Sequence, residues 1–315
     1  MANNYRGDGN STSDFIVDEA LAEGLGRLHS DLVVTRLVKN YSAYAQAKGS
    51  RYADIVAVPF RGEKAVRTKV AGTAFTPSVI DNSQVTITID KHQFYDVLLE
   101  DYGALWVQQG LLEGYMTDGA SLLAEAIETD VISNYASLAT QVGTAGGGLG
   151  DATLLSIRHQ LRTNKFQMNK PTNLVYGVLG EQDLLAVDKQ TLVNESGSAD
   201  ALTEAYFGRR YGMNLYTSNL MPAVTGTPTA EHALCFQEDA FGVIFIDMNT
   251  ESVVPGNNLG VYMKQMTYSD DAGAPIYNMR MVVSYEHKDF GPLLTVDTMY
   301  GSAEIRDIVG IDVLV

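Results

Sequence analysis

Hydrophobic positions along the chain change period several times, and each change marks an element. From Asp14 to about Lys48, Phe15, Leu21, Leu25, Leu28, Leu32 and Leu37 fall roughly on one helical face, with Gly24 and Gly26 weakening the middle. Between 51 and 89 the pattern becomes that of strands: IVAVPF reads as a buried strand, Gly72 to Pro77 as turn chemistry, and VTITID alternates with period two. Two strands joined by a long excursion form a hairpin that cannot bury itself and must lie against something else. Helical period returns from about Asp101 to Tyr135, where Leu112, Met116, Ala120, Leu123, Ile127 and Val131 step by three or four. A helix of ~35 residues spans roughly 50 Å. Gly103, Gly110, Gly114 and Gly119 concentrate in its first half and predict a bend or a close approach to another backbone there.

The second half of the chain is richer in strands. GTAGGGLGD at 143–151 is a loop, with Asp151 or Thr153 as helix cap. A short helix (Leu154 to Thr163), the strand TNLVYGVL and a helix begun by Glu181 follow. After the polar NESGSAD and a short helix ending near Phe207 comes YFGRRYGMNLYTSNLMP, where Gly208 and Gly212 bracket Arg209 and Arg210 ahead of an alternating run. ALCFQ, FGVIFI, VYMKQMTY and IYNMRMVVSY continue as strands, the last two joined by an Asp270-Asp271-Ala272-Gly273 turn, and the tail LLTVDTMYG and EIRDIVGIDVLV is again strand-like. Residues 1–13 read as a flexible Asn/Gly/Ser tail.

Composition narrows the class. A length of 315 residues fits one elaborate domain or two modest ones, and 45% hydrophobic residues describe a folded, soluble protein. No apolar run approaches the roughly 18 residues of a membrane helix. The polar N-terminus carries no apolar signal core, so the sequence points away from secretion. Cys235 stands alone, which excludes disulfides and multi-cysteine metal sites and fits a reducing cytoplasm. A net charge of −16 argues against a dedicated nucleic-acid binder. The charges are also sorted into blocks. Between Lys91 and Arg158 there is no Lys or Arg, while Glu113, Asp118, Glu125 and Glu128 lie in that window; upstream, Arg61, Lys64, Arg67 and Lys69 face only Glu63.

Catalytic patterns are thin. His29, His92, His159, His232 and His287 are scattered without metal-ligand spacing, there is no nucleophile elbow, and Cys235 in an apolar strand reads as a buried, inert thiol. The glycines of 143–151 miss the phosphate-loop patterns and read as a hinge. Arg209-Arg210 can hold an anion or simply form a solvated turn. No catalytic, cofactor-binding or metal-ligating residue is therefore expected, and no cofactor.

The order of elements carries more than any motif. VAVPFRG, then VTITIDKHQFYDVLLEDYGALWVQQG and LLAEAIETDVI, resemble the extended loop and spine helix of tailed-bacteriophage major capsid proteins of the Hong Kong 97 type. DATLLSIRHQLRTNKFQMNKPTNLVYGVLGEQDLLA resembles that family's passage into its axial domain, and YFGRRYGMNLYTSNLMP its Gly-x-x-x-Gly turn into a strand ending at a proline. The resemblance implies an α+β fold with an N-terminal arm (1–50), an extended β-hairpin loop (51–89) and a peripheral domain with the spine helix (90–150). An axial α/β domain (151–260), long strands returning to the peripheral domain (261–299) and a terminal axial strand (300–315) complete it. It further implies hexamers and pentamers assembling into an icosahedral virion head around double-stranded DNA, with a portal, a separate scaffolding protein, a decoration protein as a further candidate partner, and no membrane. Some members of the family crosslink a loop lysine to a neighbour's asparagine; Lys64 and Lys69 lie in that region, but no partner asparagine or catalytic glutamate aligns, so the resemblance does not extend to that bond.

On that reading the basic hairpin (Arg61, Lys64, Arg67, Lys69) lies across the acidic helix (Glu113, Asp118, Glu125, Glu128) of an adjacent subunit, and Gly208 and Gly212 turn the chain out of a helix into a sheet. Two alternatives stand beside it: an encapsulin-like nanocompartment shell, and a cytosolic acidic enzyme with its site in the axial segment.

Overall fold

The structure, a computed structural model, describes residues 12–47, 55–61, 66–74, 82–98, 111–164, 170–187, 208–246, 262–269, 275–288 and 291–315. The helices are α1 (Thr12–Asp31), α2 (Val34–Leu37), α3 (Ser42–Ala47), α4 (Leu111–Ser133), α5 (Asp151–Thr163) and α6 (Val178–Ala186). The strands are β1 (Lys39–Asn40), β2 (Ile55–Arg61), β3 (Asn82–Thr88), β4 (Lys91–Leu98), β5 (Gln141–Gly143), β6 (Thr172–Tyr176), β7 (Arg209–Arg210) and β8 (Met213–Thr217). They continue with β9 (Ala223–Val224), β10 (Ala230–Gln237), β11 (Phe241–Phe245), β12 (Tyr262–Ser269), β13 (Pro275–Glu286), β14 (Gly291–Glu304) and β15 (Gly310–Leu314). Among the described residues no helix is long and apolar enough to cross a membrane.

Three sheets result among the described residues. A six-stranded sheet runs β1-β11-β14-β13-β12, with β4 on the other edge of β14; a seven-stranded sheet runs β5-β15-β10-β6-β8-β7, with β9 on β10; β2 and β3 pair alone. The alternating runs are strands, as expected, and the long strands β13 and β14 pair antiparallel with Arg280 opposite Asp297. In β14, Leu294, Val296 and Tyr300 point into the core beneath α1 and α4, leaving Asp297 on the opposite face.

The helical stretch predicted from Asp14 to Lys48 is divided. α1 ends at Asp31, α2 is four residues long, and Lys39–Asn40 turns into a strand parallel to β11. Local period cannot show this, because the interruptions answer to distant partners: Glu128 of α4 at the start of α2, and β11 beside β1. The long helix is observed from Leu111 for 23 residues; its expected beginning at 101–110 lies outside the described residues, as do residues 1–11.

The chain passes between the two large sheets earlier and later than the sequence boundaries suggest. β11 falls within the expected axial range of 151–260 yet pairs with β14, so the crossing comes at the tight turn after Gln237. β14 stays in the sheet of long strands to Glu304, four residues past the expected boundary at 300, and β5 already belongs to the sheet of β15. The two crossings touch: the carbonyl of Ala240 accepts the N–H groups of Ile305 (2.8 Å) and Arg306 (3.1 Å). Asp239 beside it is ion-paired to Lys39 (3.3 Å) and to Lys170. Burial opposes the charge on Asp239, but the two lysines outweigh it and hold its carboxyl below the ordinary value.

One core serves both sheets. Leu28 and Leu32 of α1, Met116 and Ile127 of α4, Phe245, Met279 and Tyr300 of the long-strand sheet cluster with Val175 of β6 and Leu234 and Phe236 of β10. A second core lies under α5 and α6, where Leu154, Ile157, Leu161 and Leu184 cover Leu174, Cys235, Ile311 and Val313. Burying each such side chain contributes roughly 1.5–3 kcal/mol.

Candidate functional site

The hairpin β2–β3 is in register from Ile55 opposite Thr88 to Arg61 opposite Asn82. Its base lies against its own subunit. Val56, Val58, Ile87 and Ile89 are buried with Ala45 of α3, Ile244 of β11, Ile246 just beyond that strand, and Ile305. Gly301 permits this contact: a Cβ there would overlap the Thr88 carbonyl oxygen and come within 3.0 Å of Ile89 Cα. The sequence argument that such a hairpin needs a partner surface holds, and for the base that surface is β11 and β14.

The far end differs. Residues 66–74 are exposed throughout, Val66 completely and Val70 to 66%. A turn closes on the Val70 carbonyl, which accepts the N–H (3.3 Å) and hydroxyl (2.8 Å) of Thr73, with Gly72 at φ +81° in the third position, where a type II turn requires glycine. Arg67 and Lys69 are both exposed on this segment. Arg61 is in β2 with its side chain outside the described residues, and Lys64 lies outside them altogether.

On α4 the inward face carries Met116, Ala120, Leu123, Ala124, Ile127 and Val131. The outward face runs Gly114, Asp118, Leu122, Glu125, Thr129 along the helix, with Leu122 53% exposed. Asp118 and Glu125 are thus surface acids, and the helix has no Lys or Arg to offset them. Glu113 is in the helix, its side chain outside the described residues.

Glu128 corrects the sequence reading. It is 2% exposed and faces inward, so it cannot meet another subunit's basic hairpin from this position. Its Oε1 accepts the N–H groups of Val33 (2.9 Å) and Thr35 (2.9 Å), and its Oε2 that of Val34 (2.8 Å), which satisfies the N-terminal donors of α2. Burial pushes its carboxyl above the ordinary value, against the pull of these donors. The signal was present in the helical phase: residue 128 follows Ala124 by four, on the buried face.

Of the glycines expected to mark a close approach, Gly119 does so: a Cβ there would sit 2.5 Å from Cδ1 of Tyr95 on β4. The neighbour is a ring, not a backbone. A Cβ at Gly114 would meet nothing within 4 Å among the described residues.

The arginine turn is a strand-to-strand corner. Arg209 pairs with Asn214 and Arg210 with Met213, leaving Tyr211 (φ +48°) and Gly212 (φ +85°) as a two-residue loop with both residues left-handed, the geometry of a type I′ hairpin. Gly208 is also left-handed at φ +59°. The Arg158 guanidinium on α5 donates to the Tyr211 carbonyl, and the Tyr211 hydroxyl to Asp151 Oδ1 (2.9 Å). The expected exit from a helix falls at 188–207, outside the described residues.

Two buried carboxylates elsewhere, Asp297 and Asp312, are engaged structurally. Asp297 binds Arg280 and His92 on the face of the long-strand sheet away from α4. His232 Nδ1 and Asp312 Oδ1 lie 2.8 Å apart, with Gln141 on the other carboxylate oxygen (2.9 Å). Burial raises the Cys235 thiol to about 12, so it carries no thiolate near neutrality. Among the described residues no group of three or more His, Cys, Asp or Glu side chains is placed to hold a metal ion.

No family model and no curated protein matches the sequence. Solved structures do. A chain from Mycobacterium phage Che8 superimposes with a TM-score of 0.64 at 18% identity, covering 90% of each chain. The acid-stable capsid of Helicobacter pylori bacteriophage KHP30 gives 0.58 at 10% identity over 90% of this chain and 88% of the other. A virus-like particle from Pyrococcus furiosus gives 0.51 at 10% identity over 96% and 100%. With the exposed hairpin end, the long helix and the two-sheet body, these likenesses show that the chain has the Hong Kong 97-type fold of phage major capsid proteins.

Proposed function

We propose that this chain is the shell-building subunit of a tailed-phage head, a structural protein without catalytic activity. It assembles in the host cytoplasm through hexamers and pentamers into an icosahedral capsid around double-stranded DNA, and works with a separate scaffolding protein, a portal and a decoration protein. The observation that carries this reading is the segment 66–74 at the far end of the hairpin, exposed at every residue while the hairpin's base is buried. Val66 and Val70 are poor surface residues for a solitary molecule and good ones for an interface.

In the assembly, Arg67 and Lys69 of one copy lie over Asp118 and Glu125 of the next, with Val66 or Val70 against Leu122. Each exposed ion pair contributes about 0.2–1 kcal/mol, so charge sets register while apolar contact supplies affinity. Weak pairs repeated around a shell also let a wrongly placed copy leave.

The test is assembly of the purified full-length chain, followed by sedimentation and negative-stain microscopy. Closed particles support the proposal; a compact monomer at every concentration and ionic strength, with or without scaffolding protein, defeats it. A second reading, a protein-cargo nanocompartment, draws on the likeness to the Pyrococcus furiosus particle. Particles from the native source that contain protein cargo and no DNA favour that reading.

A further inference from the structure

α1 meets the β12–β13 hairpin through an aromatic contact. The His29 ring stacks on Tyr268 with centroids 4.3 Å apart and 18° between planes, and Tyr277 lies tilted at 5.8 Å. Tyr277 in turn stands edge-on to Phe245, at 5.2 Å and 86°, inside the main core. The face of α1 that carries His29 is thus keyed to the core through three rings. His29 Nδ1 is buried and has no hydrogen-bond partner among the described residues.

The charged and titratable groups around the imidazole are few. α2 contributes Arg36, whose positive charge acts on His29; β12 and β13 contribute the two tyrosines. α4 contributes Glu128, which acts on Tyr277 and is committed to the N–H groups of Val33, Val34 and Thr35. No carboxylate among these is free to receive a proton-bearing Nδ1. Charging the ring would bury an N–H without an acceptor and add a cation beside Arg36. Attraction of the cation to the Tyr268 face works the other way. Burial and then Arg36 prevail, and hold the His29 pKa below its ordinary 6.5.

We propose that His29 is an acid-sensitive latch: with the imidazole neutral, α1 is held on the β12–β13 hairpin, and proton uptake releases it. A released histidine binds a proton at its ordinary value while the docked one resists. Docking is therefore at full strength above that value and weakens as pH falls through and below it.

Hydrogen exchange on the full-length, unassembled chain at pH 7.5 and pH 5.5, corrected for intrinsic rates, tests the latch. The expected result is loss of protection at pH 5.5 in residues 22–31 of α1, with protection in β6 and β10 retained. In His29→Phe, which keeps a ring on Tyr268 but takes no proton, α1 stays protected at both values. Unchanged α1 protection in the natural chain, or equal acid loosening in His29→Phe, overturns the proposal. If His29→Phe does not fold, the His29 Cε1–H resonance of the natural chain decides: a titration midpoint below that of ordinary exposed histidines supports the latch, and one at or above it overturns it.

Discussion

Arg280 and Asp297 face each other across β13 and β14, and the guanidinium grips the carboxylate with both Nε (2.9 Å to Oδ1) and Nη2. His92 from β4 completes the site, its Nε2 2.7 Å from Oδ2. Three strands are thereby tied through one side chain that is 4% exposed. Removing one partner of a buried pair leaves the other uncompensated, so Arg280→Ala should lower unfolding stability by about 3–5 kcal/mol, read by urea denaturation. Replacing both partners by Val and Leu should cost much less; equal losses would show that the pair is screened by solvent.

Glu128→Ala should lower stability by about 1–3 kcal/mol, because the first N–H groups of α2 are left unpaired in a buried site. The pH dependence has a definite sign. An unfolded glutamate releases its proton at its ordinary value, while the folded one, raised by burial, keeps it to higher pH. Across that window the folded state binds more protons, so this residue's contribution to stability falls as pH rises. Glu128→Gln should remove that slope from the stability curve above pH ~4.5.

Two glycines on the same helix should respond oppositely to alanine. At Gly114 nothing among the described residues stands within 4 Å of a new Cβ, and the exchange should stabilise α4 by about 0.5–1 kcal/mol. At Gly119 the methyl meets the Tyr95 ring, and overpacking should cost about 1–3 kcal/mol despite the better helix propensity. Adding Tyr95→Leu to Gly119→Ala should restore most of the loss; thermal melts of the three variants beside the natural chain settle it.

Charge reversal separates folding from association. Arg67→Glu with Lys69→Glu should leave the melting temperature nearly unchanged, since both residues are exposed, and should reduce particle formation in sedimentation runs. Asp118→Lys with Glu125→Lys should do the same alone and restore assembly when mixed into the reversed hairpin. Normal particles from either single reversal would remove electrostatic pairing from the mechanism.

Where a segment's partner is close in sequence, the pattern of residues already disclosed the structure. The alternation in VTITID, VYMKQMTY and IYNMRMVVSY is a strand pattern, and the three-and-four spacing from Met116 to Val131 is the buried face of α4. Where the partner is remote, it did not. The division of the N-terminal helix depends on Glu128, and the membership of β11 depends on β14, some sixty residues downstream. Glu128 itself was misplaced because acids were counted by block when their angular position on the helix decides which way they point. Asp118 and Glu125 lie about half a turn around the helix from the apolar stripe and so point outward.

The doubly accepting carbonyl of Ala240 has a mechanical corollary. The passages from β10 to β11 and from β14 to β15 are both pinned at that one oxygen, and a hydrophobic cluster shared by the two sheets lies in the same body. A swing of one sheet against the other would have to stretch both hydrogen bonds and shear the core at once. The body should therefore resist that swing, and in the proposed shell any difference in curvature between rings of subunits would have to be taken up elsewhere than at this joint.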